Sequence, residues 1–122
     1  MRVFLLLDDS PDVIAAFLPF LRAIGKAEGV LHKGESAEET AELLLAKQPN
    51  IILVDGQLEG GVRGYEVVKL LKERAPSVRC IGFSSAPGLR EPFLRAGAVG
   101  FVQKNTEDPA AGVLAVKTLV GA

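Results

Sequence analysis

The chain has 122 residues, the usual size of a single domain and enough to bury about two-thirds of the surface that the unfolded form exposes. With 48% apolar and 24% charged residues it is too apolar to remain disordered. Fourteen Lys and Arg against 15 Asp and Glu leave a formal charge of −1, which removes the electrostatic case for direct nucleic-acid binding.

One cysteine forms no intramolecular disulfide, which suits a reducing compartment. No apolar run approaches the roughly 20 residues of a membrane span. The start from Met1 to Asp9 briefly resembles a signal peptide, but its apolar stretch Val3–Leu7 is short and ends in two acids, whereas a secretory core needs about 7–15 residues. Residues 1–122 therefore read as one cytoplasmic domain, with no membrane contact.

Val3 to Leu7 is continuously apolar, the pattern of a strand covered on both faces. Ser10-Pro11-Asp12 supplies an N-cap, a proline at the first helical position and an acid in the first turn. Val13, Ile14, Phe17, Leu18, Leu21 and Ile24 follow at helical spacing, with Gly25 as the stop. Pro19 falls inside this helix and removes one of its hydrogen bonds, a loss of about 3 kcal/mol unless a kink accommodates it. Gly29 to Lys33 is a short second strand. Ser36 and Glu39 form a capping box for a helix through Lys47.

Ile51-Ile52-Leu53-Val54 is a third strand ending at Asp55, followed by a Gly-rich loop. Gly64 to Ala75 is helical and Pro76 stops it. Val78 to Phe83 is the fourth strand and Val99 to Gln103 the fifth. Between them, Pro87 to Ala96 holds a helix that Pro92 makes short or late to start. Asp108-Pro109 opens a last helix to Val120, whose clearly polar residues are Lys117 and Thr118. That helix is either well buried with small residues outward or an apolar surface for a partner or a homodimer. Strands alternating with helices predict a parallel α/β sheet, whose site lies beyond the carboxyl ends of the strands.

Those ends carry matched charges. Asp8 and Asp9 follow the first strand, Asp55 closes the third, Ser84 and Ser85 the fourth, and Lys104 the fifth. Each alone is ordinarily a turn former, a cap or a solvated side chain; together they converge on one rim. Three carboxylates without a counter-charge repel, and a hard divalent cation such as Mg²⁺ resolves that. A lysine and a hydroxyl opposite complete a cradle for an anionic group. The chemistry indicated is phosphoryl transfer onto a carboxylate, with Asp55 as nucleophile.

Other residues carry less. His32 has no partner motif and reads as a surface residue of the second strand. Cys80, among Val78, Ile81 and Phe83, reads as a buried, inert thiol. Gly60-Gly61 lacks the Lys-Ser/Thr of a nucleotide-binding loop.

The ordered set Asp8-Asp9, Asp55, Phe83-Ser84-Ser85 and Gly100-Phe101-Val102-Gln103-Lys104, with Gly64 and Gly97-Ala98, resembles the receiver domain of two-component response regulators over the whole chain. The resemblance implies a five-stranded parallel sheet, doubly wound as (βα)5, in the flavodoxin-like receiver fold. It implies that Asp55 accepts a phosphoryl group from a sensor histidine kinase or phosphotransfer protein. Mg²⁺ would bind through Asp9, Asp55 and the backbone carbonyl of Gln57, with Asp8 acting directly or through water. Lys104 would pair with the phosphoryl group or the acids. Ser84, with Ser85 as the rival, would bind a phosphoryl oxygen, and Phe101 would be an aromatic switch. The chain would then be a phosphoacceptor switch for a downstream protein, its only chemistry its own phosphorylation and dephosphorylation.

The chain departs from the family pattern in places. Leu58-Glu59 stands where many members have Met-Pro, which puts a charge beside the site. The loop from Asp55 to Gly64 is about one residue longer than usual. Asn105 replaces the proline after the lysine, and the segment between Ser84 and Lys104 is shortened. Two other readings compete. A phosphorylation-independent docking module would bind its partner without Asp55. A small α/β enzyme would want a second acid at position 57, where Gln57 stands, or a Ser/Thr/Gly-rich phosphate loop in place of Asp8-Asp9-Ser10-Pro11.

Overall fold

The computed structural model describes residues 2–121. Five parallel strands, β1 (Val3–Asp8), β2 (Lys26–Leu31), β3 (Ile51–Asp55), β4 (Arg79–Ser84) and β5 (Gly100–Gln103), alternate with α1 (Pro11–Arg22), α2 (Ala37–Ala46), α3 (Gly64–Arg74), α4 (Arg90–Ala96) and α5 (Pro109–Val120). The sheet order is β2-β1-β3-β4-β5. The chain therefore reverses its direction of travel across the sheet between β1 and β3, which is where a doubly wound sheet opens a crevice.

Alternate residues of the central strands point to opposite faces and both faces are covered. Leu5, Leu7, Ile52, Val54 and Cys80 pack with Leu44 of α2, Val67 and Leu71 of α3 and Phe93 of α4. Phe4, Leu6, Leu53, Ile81 and Phe83 pack with Phe17 and Leu21 of α1 and Val113 and Val116 of α5. Two-sided burial explains why β1 and β3 read as unbroken apolar runs. Each such large side chain contributes about 1.5–3 kcal/mol relative to leaving it exposed.

The caps form as their residue types require. Ser10 accepts from the Val13 amide at 3.3 Å, and Asp108 accepts from the Ala111 amide at 3.2 Å. Ser36 and Glu39 close their box with bonds of 3.1 and 3.2 Å. α1 runs through Pro19, which is exposed together with Ala15, so the carbonyl deprived of its donor lies on the solvent side.

Several boundaries differ from the sequence reading. α1 stops at Arg22 with Ala23 as its C-cap, so Gly25 is not its stop. Gly25 instead lies where a Cβ would come within 2.7 Å of the Phe4 ring. β2 begins at Lys26 rather than Gly29 and ends at Leu31. As an edge strand, half open to solvent, it tolerates Lys26 and Glu28 and loses the apolar signature. α3 ends at Arg74, one residue early. α4 is short, as expected from Pro92. A 3-10 turn, Pro87–Leu89, precedes it, and Pro92 falls in its first turn, where the missing amide hydrogen has no helical partner to lose.

Candidate functional site

Register brings the charged residues together. Leu7 pairs with Val54 across β1 and β3, so the next residues, Asp8 and Asp55, end these strands side by side. Asp55 in turn pairs with Phe83, and Ser84 with Gln103, which sets Lys104 at the same rim. The Lys104 amide donates to the Ser84 carbonyl at 2.8 Å and fixes the backbone there.

Lys104 Nζ lies 2.8 Å from Asp8 Oδ2 and 2.9 Å from Asp55 Oδ1, donating to both. Asp8 is only 1% exposed and Asp55 7%. Asp8 Oδ1 accepts from the Ser10 amide at 3.0 Å, and Asp55 Oδ1 also accepts from the Gly56 amide at 2.8 Å. The bonds to Asp55 thus gather on one oxygen. Asp8, Asp9 and Asp55 each offer a carboxylate oxygen, and the three atoms lie within 4.8 Å of one another. All three acids line a cleft of about 560 Å³ with Ser84, Ser85 and Lys104. A hard, oxygen-preferring dication fits that donor set.

The electrostatics follow from this packing. Burial pushes the Asp55 carboxyl up to about 6 from its ordinary 3.8; Lys104 opposes the shift, while Asp8 and Asp9 add to it. Burial pulls the Lys104 ammonium down, but its bonds to Asp8 and Asp55 outweigh burial and hold it above its usual range. Its Nζ also stands 5.6 Å above the Phe83 ring centre, and that ring packs edge-on against Phe17.

The loop after Asp55 is held by backbone. The Gly64 amide donates to the Gly56 carbonyl at 3.0 Å, and a Cβ at Gly64 would lie 1.9 Å from the Asp55 carbonyl oxygen. Only glycine fits there, which gives the glycine that opens α3 its physical reason. Between them, Gln57 and Arg63 form an antiparallel bridge, and the Leu58 amide donates to the Val62 carbonyl at 2.9 Å. The long loop is absorbed as this small hairpin, whose 3-10 turn Glu59–Gly61 projects outward. Glu59, expected beside the site, is exposed on that turn and does not line the cleft.

Ser84 and Ser85 both line the cleft, but only Ser84 is buried, at 5% exposure; its Oγ accepts from the Ala86 amide at 3.1 Å. Gln57 lines the cleft as well. Phe101 is half-buried on the α4 side of the sheet, its ring centre 5.9 Å from that of Phe93, and lies outside the cleft. Cys80 is buried as expected, and burial pushes its thiol up to about 11.

His32 corrects the sequence reading. It follows β2 and is 2% exposed, not a surface residue. Its Nε2 is 2.8 Å from the Glu35 carbonyl, and its backbone amide donates to the Asp8 carbonyl at 2.9 Å. The imidazole closes the β2–α2 loop, a tertiary role with no period or motif to announce it. Sequence reasoning also passed over Phe93, fully buried, whose ring occupies the space above Gly64 and Gly82. The absence of side chains at those two glycines was its one trace.

Strand order, switch-point crevice and an acidic trio, two of whose members a lysine bridges, define a doubly wound α/β protein with a site for a cation and an anionic group. The chain belongs to the response regulator receiver domain family, whose model matches residues 4–116. It is a receiver domain of the two-component type. It is 31% identical over 106 residues to the transcriptional activator protein ExaE of Pseudomonas putida, a match covering 82% of this chain and 47% of that protein. The chain thus spans about half the length of that curated relative.

Among solved structures, a LuxR-family two-component response regulator from Aurantimonas is 27% identical, covers 99% of this chain and 86% of its own, and has a TM-score of 0.75. The response regulator DrrB of Thermotoga maritima, at 21% identity, covers 99% of this chain and 53% of its own with a TM-score of 0.75, a likeness of fold. Among the described residues no helix is long and apolar enough to cross a membrane.

Proposed function

We propose that Asp55 is the phosphoacceptor and that its phosphorylation switches a protein–protein interaction. One oxygen of the carboxylate attacks the phosphorus of a phosphohistidine on a kinase or phosphotransfer protein. The new O–P bond makes an acyl phosphate, the P–N bond breaks, and the imidazole leaves with a proton. The observation that carries this reading is the placement of Lys104: its Nζ bonds one oxygen of Asp55 at 2.9 Å, and the other oxygen has no hydrogen bond among the described residues.

Asp9 and Asp55, with the Gln57 carbonyl and with Asp8 directly or through water, are the groups that would hold Mg²⁺. Bound there, the ion would neutralise charge on the transferred phosphoryl oxygens. Lys104 orients Asp55 and supplies a second positive charge. Ser84, buried beside the cleft, is the hydroxyl that would bind a phosphoryl oxygen; exposed Ser85 is the less favourable one. Downstream, α5 exposes Leu114 at 63% and Leu119 at 39%, an apolar surface for a protein target or a second copy of the chain.

Incubation with acetyl phosphate, with Mg²⁺ and with EDTA, tests the reading by intact-mass measurement. One labile phosphoryl group is expected with Mg²⁺, released as the donor becomes acetate, and none in Asp55→Asn. No uptake by the wild type would leave the docking module as the better description.

A further inference from the structure

We propose that Leu89 is a positioning residue for the phosphoacceptor: it locks Ser84 and the acceptor loop in the resting arrangement, and it leaves Gly56 when Ser84 turns to a phosphoryl group on Asp55. The inference rests on the phosphoacceptor reading and adds a residue to it.

Four contacts form a closed ring. Gly56, directly after Asp55, has no side chain, and the place its Cβ would take lies 2.4 Å from Leu89 Cδ1, 2.9 Å from Ser84 Oγ and 3.0 Å from Ser84 Cβ. Leu89 therefore fills the volume that a side chain at position 56 would need. Ser84 Oγ accepts from the Ala86 amide at 3.1 Å, and the Ala86 carbonyl accepts from the Leu89 amide at 3.1 Å. The ring runs Gly56, Ser84, Ala86, Leu89 and back to Gly56. Turning the Ser84 hydroxyl toward a phosphoryl oxygen removes its bond to Ala86, and the 3-10 turn that presents Leu89 then loses its tie to β4.

The neighbouring structure makes this ring the part that opens. Leu89 is half-buried, so water can receive it, and its turn contains Pro87 and Gly88, both exposed. The adjoining α4 is anchored separately by fully buried Phe93, packed over Gly64 and Gly82. Release of Leu89 thus frees the start of α4 while its middle stays attached. A contact present only in the resting form biases the equilibrium against the form that binds the phosphoryl group best.

The test is the affinity for beryllofluoride with Mg²⁺, a mimic of the phosphoryl group that needs no turnover. Leu89→Ala should bind it about threefold or more tightly than the wild type, because the resting form loses its lock. Leu89→Met, which keeps the contact, should return to the wild-type affinity. A Leu89 that merely contributed packing would lower stability without tightening the mimic. Hydrogen exchange of the wild-type segment 86–92 gives a second reading that needs no variant: beryllofluoride should speed it. Equal affinities for wild type and Leu89→Ala, or unchanged exchange on binding, would overturn the proposal. A wild type that binds no beryllofluoride would overturn the phosphoacceptor reading beneath it.

Discussion

Replacing Asp55 with asparagine should stabilise the fold at neutral pH, although it removes half of an ion pair. Asparagine keeps the shape and an oxygen for the Gly56 and Lys104 donors, and discards a charge that burial disfavours. The raised pKa gives the size. A rise from 3.8 to about 6 corresponds to about 3 kcal/mol, and solvent in the open cleft reduces this to roughly 2 kcal/mol.

The sign follows from proton linkage. Between these values the folded chain holds a proton that the unfolded chain has released, so the wild type loses stability as pH rises through that window. The advantage of Asp55→Asn should therefore be near zero below pH 3.8, grow up to about pH 6 and level off above it. Urea unfolding of both proteins in EDTA, from pH 3.5 to 8, measures this directly. A variant less stable than wild type at pH 8, or a difference that does not change with pH, would mean that the buried Asp55 charge does not destabilise the fold.

Lys104→Met should act in the opposite direction. It leaves Asp8 and Asp55 facing each other without a counter-charge, and a loss of about 2 kcal/mol at pH 8 is expected in the open cleft. The loss should shrink toward pH 4.5 as Asp55 takes up a proton, which the same urea series would show. Gly64→Ala would place a methyl 1.9 Å from the Asp55 carbonyl oxygen, so the backbone must shift. About 3 kcal/mol of stability should go with it, together with phosphoryl uptake from acetyl phosphate.

The doubly wound fold was legible because the central strands are covered on both faces and three of the helix starts carry side-chain caps. Val3–Leu7 and Ile51–Val54 have no polar residue to confuse the period, and Ser10, Ser36 and Asp108 mark their helices by local chemistry. β2 was misplaced at both ends because an edge strand leaves its residues exposed or only partly buried and admits Lys26 and Glu28. The convergence of Asp8, Asp9, Asp55 and Lys104 was legible for a topological reason: residues just after parallel strands share one rim whatever the loops between them do.

Contacts that depend on the path of a loop were not legible. His32 is buried by the course of the β2–α2 turn, and Glu59 is carried away from the cleft by a hairpin that its own residues close. Phe93 and Leu89 matter through volumes that glycines leave empty, and a glycine in a sequence does not say which side chain will fill its space.

Whether Asp8, Asp9 and Asp55 share one divalent ion is measured most directly by calorimetric titration of the unphosphorylated protein with Mg²⁺ at pH 7.5. One ion per chain is expected for the wild type, with binding weakened at least about tenfold in both Asp9→Asn and Asp55→Asn and a weaker response at pH 5.5, where a proton competes on Asp55. Binding of equal strength in all three proteins, or none in the wild type, would contradict a shared ion.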